Sequence, residues 1–591
     1  MSMKISFSAA SIVLLLHLWT ISTRSQVSNG SLAIDSELSQ PTAKTHVVEK
    51  VKIPMRDGAR LVADIVFPDG ESKYPTVLIR TPYGRRVETD WIKRGQFFAA
   101  RGYAVVVQAV RGREDSEGEW QPWFNERKDG YDTIDWVSRQ SWSDGNVGMI
   151  GGSYLGEVQL LAAAEGHPSL KCIVPYASGS EHFFGVPYDY GVPNLEILDW
   201  LRVTTNKEKT VAAKPLPNQE LLRTLPLSRL DDVYAGENFP IFDDWLKKDR
   251  PSDFVAASFL ADLSKPNKQI PILHLTGWWD GAGFGVMRNY QTLHQAGHNR
   301  QWLVVGFWEH DFAQWDGIRT RYADVNYGIN SLFDFRTMYL RFFDTWLKGK
   351  RVGLDEMPKA QIFVTGANKW RGFNAFPAQN FQKKTLYLDA SANNEKGAGR
   401  LSEKAPNKSA EFSYTYDPAQ ISVKRDVKFL NTTKLWFEPK EKDKLLFQTE
   451  PLTEAVEVGG DVELDFYFST SAEDTDFFAL LVDVDENGTK RALTYPGKMR
   501  MRYLNDWEQP AALEPNKVYH AKIRLGSVAH QFEKGHRIGL AIRSEWFPLF
   551  ARNLNTAESI KDATKIVIAQ QKIYADSQRP SALHLKLLPT N

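Results

Sequence analysis

The sequence GMIGGSYLG, residues 148–156, decides the fold predicted for this chain. It is typical of the end of a strand, a tight turn with Ser153 at its apex, and a helix over 157–164. In a nucleophile elbow, a strained strand-to-helix turn of this kind holds the serine Oγ out above the edge of a sheet. Leu155 lies where the second glycine of the common Gly-x-Ser-x-Gly pattern is expected, and Gly156 follows one residue later.

A Gly-x-Ser triplet alone is a weak indication, because glycine and serine are both common in proteins. Gly70, Glu71 and Ser72 form another such triplet, in a polar turn. Ser153 differs from Ser72 in three ways: a predicted strand precedes it, a predicted helix follows it, and a candidate acid and base lie downstream in the sequence. The alternative interpretation of 148–156 is an ordinary glycine-rich turn between a strand and a helix.

Composition limits the class of protein. The chain has 591 residues, too many for one compact core, so we expect two or three domains. Lys and Arg number 73 against 72 for Asp and Glu, and there is no long basic tract, which argues against nucleic acid or a membrane surface as a partner. A 42% hydrophobic and 12% aromatic content, with 18 Trp, is typical of a folded globular protein with aromatic-lined clefts.

The N-terminus has the pattern of an export signal. Lys4 gives a short positive region, 9–21 is mostly apolar, and small residues follow near 23–25. We therefore predict a signal peptide over 1–25 and a mature protein that is secreted or periplasmic. The single cysteine, Cys172, excludes a disulfide within the chain, which a large exported protein with enough buried apolar surface can do without.

The pattern of elements divides the mature chain into three parts. Apolar strands joined by helical crossovers predict an α/β domain with a parallel sheet, over 26–183 and 265–375. Amphipathic helices over 184–264 interrupt it; we interpret them as a cap over the site, and extra helices packed on the outside are the alternative. From 376 to 591, alternating runs separated by turns predict a β-sandwich or jelly-roll domain.

Two strand ends downstream of Ser153 supply the partners that a serine nucleophile needs. A serine hydroxyl requires a positioned base, and the base requires an orienting acid. One apolar strand leads to Asp280 and a later one to His310, in the order typical of α/β-hydrolases. Such sheets place catalysis just past the carboxyl ends of their parallel strands. Asp311 competes with Asp280 as the acid, but it adjoins the histidine.

An oxyanion hole requires hydrogen-bond donors aimed at the tetrahedral intermediate. The backbone N–H of Tyr154 is the donor that elbow geometry supplies. Tyr83 follows the strand over 76–80, in the loop that usually supplies the second donor. Its phenol could serve as that donor, although residue type alone favours a tyrosine that only packs.

Several sequence blocks occur together with the elbow. They include RTPYGR at 80–85, TGWWDG at 276–281, VVGFWEH at 304–310 and FEKGHRIGLAIRSEWFPLFARN at 532–553. The set resembles the X-Pro dipeptidyl-peptidase and cocaine esterase family of α/β-hydrolases, which includes α-amino acid ester hydrolases and some cephalosporin acylases. That family's Ser-Tyr-x-Gly elbow accounts for the displaced glycine.

The resemblance implies a fold and a set of roles. The fold is an α/β-hydrolase core with a helical cap, followed by an all-β jelly-roll (galactose-binding-like) domain. Ser153 becomes the nucleophile, Asp280 the acid and His310 the base. Tyr83 becomes the side-chain oxyanion donor beside the N–H of Tyr154.

The remaining expectations concern ligands. Trp278, Trp279 and Trp308, next to the acid and the base, are candidates for substrate binding. No metal or cofactor is expected, and the partner is a small-molecule acyl ester or amide. Family members can form homo-oligomers, but nothing in the sequence identifies an interface.

One departure from the family restricts the substrate. α-Amino acid ester hydrolases carry extra carboxylates near the triad that bind the substrate ammonium group, whereas 281–283 here reads Gly-Ala-Gly. That cation site is therefore absent unless Glu181, Asp189 or Glu309 replaces it. The context of Asp280 also differs from that of the true X-Pro dipeptidyl-peptidases, which argues against proline-specific cleavage.

The function predicted from the sequence is a serine hydrolase that cleaves small acyl esters, or amides, through an acyl-enzyme. An aminoacyl-ester hydrolase, dipeptidyl-peptidase or acylase of the same family is the alternative within the enzymes. A protein that binds carbohydrate or a partner and has a degenerate hydrolase domain is the alternative outside them.

Overall fold

A computed structural model describes residues 37–86, 91–205, 219–310, 315, 319–322, 325–378, 380–389, 398–407, 409–420, 444–493 and 495–589. The predicted signal peptide over 1–25 lies outside the described residues, as does Asp311. Among the described residues, no helix is both long enough and apolar enough to cross a membrane.

A ten-stranded sheet forms the core of the N-terminal part. Its strands are β1 (Thr45–Pro54), β2 (Arg60–Pro68), β3 (Tyr74–Thr81), β4 (Ala104–Ala109), β5 (Ser143–Gly152), β6 (Leu170–Tyr176), β7 (Ile272–Gly277), β8 (Gln301–Gly306), β9 (Ala360–Val364) and β10 (Lys369–Phe373). They lie in the order β1-β2-β4-β3-β5-β6-β7-β8-β9-β10. The seven neighbouring strands β4, β3, β5, β6, β7, β8 and β9 pair in parallel. At the two edges of the sheet, β1, β2 and β10 pair antiparallel with their neighbours.

Eight described α-helices accompany this sheet, and several shorter helical segments lie in the cap. The α-helices are α1 (Trp91–Ala99), α2 (Glu126–Ser138), α3 (Tyr154–Glu165), α4 (Ile197–Thr204), α5 (Pro240–Lys247), α6 (Leu260–Leu263), α7 (Gly283–Gln295) and α8 (Phe335–Lys348). Between α4 and α7 lie short 3₁₀ segments at Gln219–Arg223, Leu227–Arg229, Pro251–Ala257 and Pro266–Lys268 and a π-helical turn at Asp231–Ala235.

The central strands are buried on both faces because helices cover the sheet. All six residues of β4 (AVVVQA) are buried, as the run of valines predicts for a parallel strand between two helical layers. The helices α1 and α8 contact each other through Phe98 and Phe343, with ring centroids 5.6 Å apart. The helices α2 and α3 pack so closely that a Cβ on Gly130 would lie 2.6 Å from the Cβ of Ala162.

The C-terminal part is rich in antiparallel strands, as predicted. Its strands are β11 (Gln382–Asp389), β12 (Ala398–Ser402), β13 (Ala410–Tyr416), β14 (Lys444–Gln448), β15 (Val456–Thr470), β16 (Asp476–Val484), β17 (Lys490–Ala492), β18 (Gly497–Arg500), β19 (Tyr519–Phe532), β20 (Arg537–Arg543), β21 (Ala569–Ala575) and β22 (Ala582–Leu587). Their order is β13-β21-β15-β22-β11-β12-β14-β20-β16-β17, with β18 pairing with β16 and β19 with β15. Of these pairings, β12 with β14 is parallel.

The β-rich part packs directly on the cap and on the edge of the first sheet. Asn194, in the cap, forms an isolated β-bridge with Phe550, and the N–H of Leu195 donates to the carbonyl of Leu549 at 3.0 Å. Thr365, just after β9, forms a second bridge with His530. These contacts bring residues of the β-rich part next to the carboxyl edge of the first sheet.

Candidate active site

Ser153 occupies the turn between β5 and α3 in a strained backbone conformation. Its φ of 58° and ψ of −128° lie outside the regions that non-glycine residues normally adopt. Its N–H donates to the carbonyl of Tyr176 at 3.0 Å, and its carbonyl accepts from Gly156 and Glu157 at the start of the helix. The elbow predicted from the sequence is therefore present, with α3 beginning immediately after the serine.

Three close approaches explain the glycines around Ser153. A Cβ on Gly152 would lie 2.0 Å from the ring of Tyr176, which no side chain could accommodate. A Cβ on Gly156 would lie 2.7 Å from the Cβ of Ser178, so the helix contacts the neighbouring strand end there. Leu155 instead packs over Gly151. A Cβ on Gly151 would lie only 2.4 Å from the Cβ of Leu155. The displaced glycine thus marks the residue at which this helix meets the sheet.

Asp280 and His310 are joined at the same edge of the sheet. Asp280 follows β7, His310 follows β8, and these strands pair in parallel up to Gly277 and Gly306. The Nδ1 of His310 lies 2.7 Å from Oδ1 of Asp280, which also accepts from the N–H of Ala282 at 2.9 Å. An ionised carboxylate only accepts hydrogen bonds, so Nδ1 donates and Nε2 is the nitrogen that can take a proton.

The second oxygen of Asp280 is also fixed. Its Oδ2 accepts from the hydroxyl of Thr276 at 2.9 Å, and the side chain is wholly buried. Ser153 and His310 both line one cavity of about 110 Å³ at this edge. The structure therefore brings together the three residues that the sequence predicted as a catalytic triad.

Tyr154 is anchored by a buried polar network behind the elbow. Its hydroxyl donates to Oε1 of Glu126 at 2.7 Å and accepts from the N–H of Trp123 at 3.0 Å. Glu126 in turn pairs with Arg80, whose Nη1 lies 2.6 Å from Oε2. Both charged side chains are almost completely buried. This network holds the residue whose N–H was predicted as an oxyanion donor.

Tyr83 lies in the loop after β3, and β3 is the neighbour of β5 in the sheet. Its phenol oxygen accepts from the indole N–H of Trp200 at 2.9 Å. Trp200 belongs to α4 in the cap, lines the cavity and stacks on Tyr154 with ring centroids 5.8 Å apart. An oxygen that accepts from an indole keeps its own O–H as a donor. The side-chain donor role of Tyr83 stays a prediction that this contact makes chemically reasonable.

The cavity is built from all three parts of the chain. The cap contributes Phe184, Val186, Asp189, Glu196 and Trp200, among others. The β-rich part contributes Tyr495. The first part of the predicted cap, residues 184–200, therefore forms part of the cavity wall.

The three tryptophans predicted for substrate binding do not line this cavity. The indole of Trp278 donates to the carbonyl of Phe363 at 2.8 Å, and that of Trp279 donates to Ala492 at 3.3 Å. Trp308 is 1% exposed and packs edge-on against Phe335. All three indoles are buried, and these contacts with neighbouring segments account for their positions.

The carboxylates considered for an ammonium site have other partners. Asp189 forms a buried ion pair with Lys498 of the β-rich part. Glu181 accepts from the N–H groups of Phe259 and Leu260 at 3.3 and 3.1 Å. Glu309 interacts with the hydroxyl of Tyr322.

Lys498 is an unusual neighbour of the cavity. Its ammonium group is surrounded by the rings of Phe284, Tyr495 and Phe550 at 4.7 to 5.3 Å from their centroids. Burial lowers the pKa of Lys498, and the carboxylate of Asp189 opposes that shift. The chain thus places a cation of its own beside the carboxylate.

Two acidic residues of the cavity wall were missed by the sequence analysis. Burial raises the pKa of Glu157 to about 8, and it raises the pKa of Glu196 well above its ordinary value. The signal for Glu157 was present: it is the one charged residue in the mostly apolar stretch EVQLLAAA directly after the elbow. The position of Glu196 depends on how the cap folds back and has no local signature.

Comparisons with known proteins agree with this geometry. The family model for X-Pro dipeptidyl-peptidase (S15 family) matches residues 57–311 of this chain. The family model for the X-Pro dipeptidyl-peptidase C-terminal non-catalytic domain matches residues 352–584. The second match begins at residue 352, before the domain boundary that the sequence predicted at residue 376. Strands β9 and β10, which lie between these two positions, pair with the first sheet.

Individual relatives match nearly the whole chain. The cocaine esterase of Rhodococcus sp. (strain MB1 Bresler) is 31% identical over 92% of this chain and 98% of its own. The solved structure of an α-amino acid ester hydrolase has 26% identity and a TM-score of 0.81, covering 95% of this chain and 99% of that one. An aminopeptidase from a Thaumarchaeota archaeon, at 24% identity and a TM-score of 0.80, shares the fold over 96% of this chain and 100% of that one.

The buried network behind Tyr154 predicts a large loss of stability for Glu126→Ala. The substitution leaves the guanidinium of Arg80 buried without its carboxylate, which costs about 3–5 kcal/mol in comparable cases. We expect a clearly lower urea midpoint for the unfolding of the catalytic domain. Lys128→Ala, at an exposed position of the same helix, should change stability by less than about 0.5 kcal/mol. Equal midpoints for the two variants would contradict the role given to the network.

Proposed function

Because the chain belongs to the X-Pro dipeptidyl-peptidase and cocaine esterase family of serine hydrolases, we propose that it hydrolyses small acyl esters through an acyl-enzyme at Ser153. The observation that carries the proposal is the short hydrogen bond between Asp280 and His310 beside the cavity that Ser153 lines. A degenerate hydrolase domain that only binds a partner would have no need of this arrangement.

The first half of the reaction forms the acyl-enzyme. Nε2 of His310 takes the proton of the Ser153 hydroxyl as its Oγ attacks the ester carbonyl carbon. Asp280 holds the imidazole in the required tautomer and stabilises the imidazolium that forms. The tetrahedral intermediate then collapses: the bond to the alcohol oxygen breaks, and His310 gives its proton to the departing alcohol.

The second half releases the acid. Water loses a proton to His310 and attacks the acyl carbon, and the new intermediate collapses with return of the proton to Oγ of Ser153. In both halves the negative oxygen is stabilised by the N–H of Tyr154 and the phenol of Tyr83. The contact from Trp200 supports this role of Tyr83 because it orients the phenol.

The partners of the three carboxylates considered for an ammonium site support substrates without a free α-amine. Asp189 already has the ammonium group of Lys498 beside it, and Glu181 and Glu309 have partners elsewhere. An aminoacyl ester would therefore meet no unpaired carboxylate among these three candidates. Neutral acyl groups fit the aromatic wall formed by Trp123, Phe184 and Trp200.

Asp280→Asn tests the proposed triad. The amide cannot stabilise the imidazolium and favours the wrong tautomer of His310, so we expect turnover of p-nitrophenyl acetate to fall on the order of 10⁴-fold. The rate at which a fluorophosphonate labels Ser153 should fall as well. Asp135→Asn, on the surface of α2, is the matched control and should react normally. Full activity of Asp280→Asn would sink the proposal.

A pair of esters tests the substrate class. The p-nitrophenyl esters of butyrate and of 2-aminobutyrate differ by the α-amine alone. We expect kcat/KM for the butyrate, after subtraction of the Ser153→Ala background, to equal or exceed that for the amino ester. A dipeptidyl X-Pro p-nitroanilide should be cleaved poorly. A strict requirement for the amine would show that the site is that of an aminoacyl-ester hydrolase or dipeptidyl-peptidase.

We further propose that the protein is exported, on the strength of the pattern over 1–25. The full chain expressed in a bacterium should be recovered outside the cytoplasm with an N-terminus near Gln26. A chain that lacks 2–25 should stay in the cytoplasm and keep its esterase activity. Recovery of the full chain from the cytoplasm, with its first residues intact, would contradict export.

A further inference from the structure

The carboxyl group of Glu157 lies one helical turn after the nucleophile. The helix α3 buries every residue from Tyr154 to Ala164, and Glu157 is the ionisable carboxyl within that stretch. The side chain lines the same cavity as Ser153 and His310, and the residue is 8% exposed. Burying a carboxyl group is costly unless it has a partner or a function.

The contacts of Glu157 fix one of its oxygens at the wall of the cavity. Oε1 accepts from the N–H of Gly179 at 3.1 Å. Oε2 lies 3.9 Å from Nε2 of His182, and the indole of Trp123 is a further side-chain donor that faces this carboxyl. Among the residues that the structure describes, no lysine or arginine forms an ion pair with this carboxyl.

Several effects compete for the protonation state of Glu157. Burial is the largest and raises its pKa from 4.5 to about 8. The N–H of Gly179, the indole of Trp123 and the charge of His310 act in the opposite direction but are weaker. The N-terminus of α3 favours the ionised form only modestly. The carboxyl is therefore protonated at neutral pH and carries a proton that it can donate.

The other titratable groups around the cavity do not change this result. Burial lowers the pKa of His182 to about 3, so this imidazole is neutral beside Glu157. Across the cavity, Asp189 is paired with Lys498. Burial also raises the pKa of Glu196, on the cap, well above its ordinary value. No unpaired full charge among these groups would draw the proton from Glu157.

We propose that Glu157 determines specificity: its uncharged carboxyl donates a hydrogen bond from Oε2 to an acceptor oxygen in the acyl portion of a neutral ester. The acyl group stays bonded to Ser153 after the alcohol leaves, so a donor one turn from the serine contacts it in both halves of the reaction. The substrate class is thus esters of acids with an ether, carbonyl or ester oxygen near the reacting carbonyl. The inference rests on the proposed function.

Two isosteric substrates test the inference. The p-nitrophenyl esters of methoxyacetate and butyrate differ by an oxygen in place of a methylene, and their rates are corrected for the intrinsic rate with hydroxide. We expect the enzyme to favour methoxyacetate, and Glu157→Leu to reduce that preference about tenfold because the donor is lost. Glu157→Gln should keep the preference, since its amide N–H also donates. Glu165→Gln, at the far end of α3, is the control that leaves it unchanged.

The pH dependence gives an independent readout that does not need the leucine variant to fold. Above about pH 8, the wild-type carboxyl ionises, loses its proton and presents a negative oxygen to the acceptor. The ratio of kcat/KM for the two esters should therefore fall as pH rises through this value in the wild type and stay constant in Glu157→Gln. Titration of His310 affects both esters equally and cancels in the ratio.

The outcomes separate the two proposals. If the wild type hydrolyses neither ester, the proposed function itself fails. If it hydrolyses both, but the corrected ratio shows no preference or depends on pH in the same way in Glu157→Gln, then Glu157 does not donate to the acyl group. A preference that survives in folded Glu157→Leu overturns the inference too.

Discussion

The strained backbone of Ser153 is the constraint on which the rest of the site depends. A serine at φ 58° costs on the order of 1–3 kcal/mol and persists only where its surroundings over-determine it. Here Tyr176 accepts its N–H, while Gly152 and Gly156 let the sheet and helix approach to distances that no side chain would permit. The same contacts direct the start of α3 at the cavity, which places both the N–H of Tyr154 and the carboxyl of Glu157 beside the serine.

Burial of charge organises the surroundings of the elbow in two ways. Where a partner is available, charges are kept: Arg80 pairs with Glu126 behind Tyr154, and Lys498 pairs with Asp189 at the cavity. Glu157 has no such cation among the described residues, and desolvation raises its pKa instead. The chemistry of the cavity is therefore set as much by which acids have partners as by the triad.

The β-rich part is a component of the site as well as a neighbouring domain. Its Tyr495 lines the cavity and its Lys498 reaches the carboxylate of Asp189 in the cap. The bridge between Asn194 and Phe550 ties the cap to this part of the chain. Because the cap contacts both domains, a change in their packing would alter the wall of the cavity without touching Ser153, Asp280 or His310.

The sequence by itself determined the parallel sheet, the elbow and the order of Ser153, Asp280 and His310, because strand periodicity, close-packed glycines and polar strand ends are local signals. It also indicated the β-rich C-terminal part. It predicted Trp278, Trp279 and Trp308 as substrate-binding residues, which do not line the cavity, and it missed Glu157, Glu196 and Lys498. Only the tertiary structure decided which way those side chains point and which of them meet, since the cavity wall combines segments hundreds of residues apart whose burial, and hence whose protonation, no single stretch encodes.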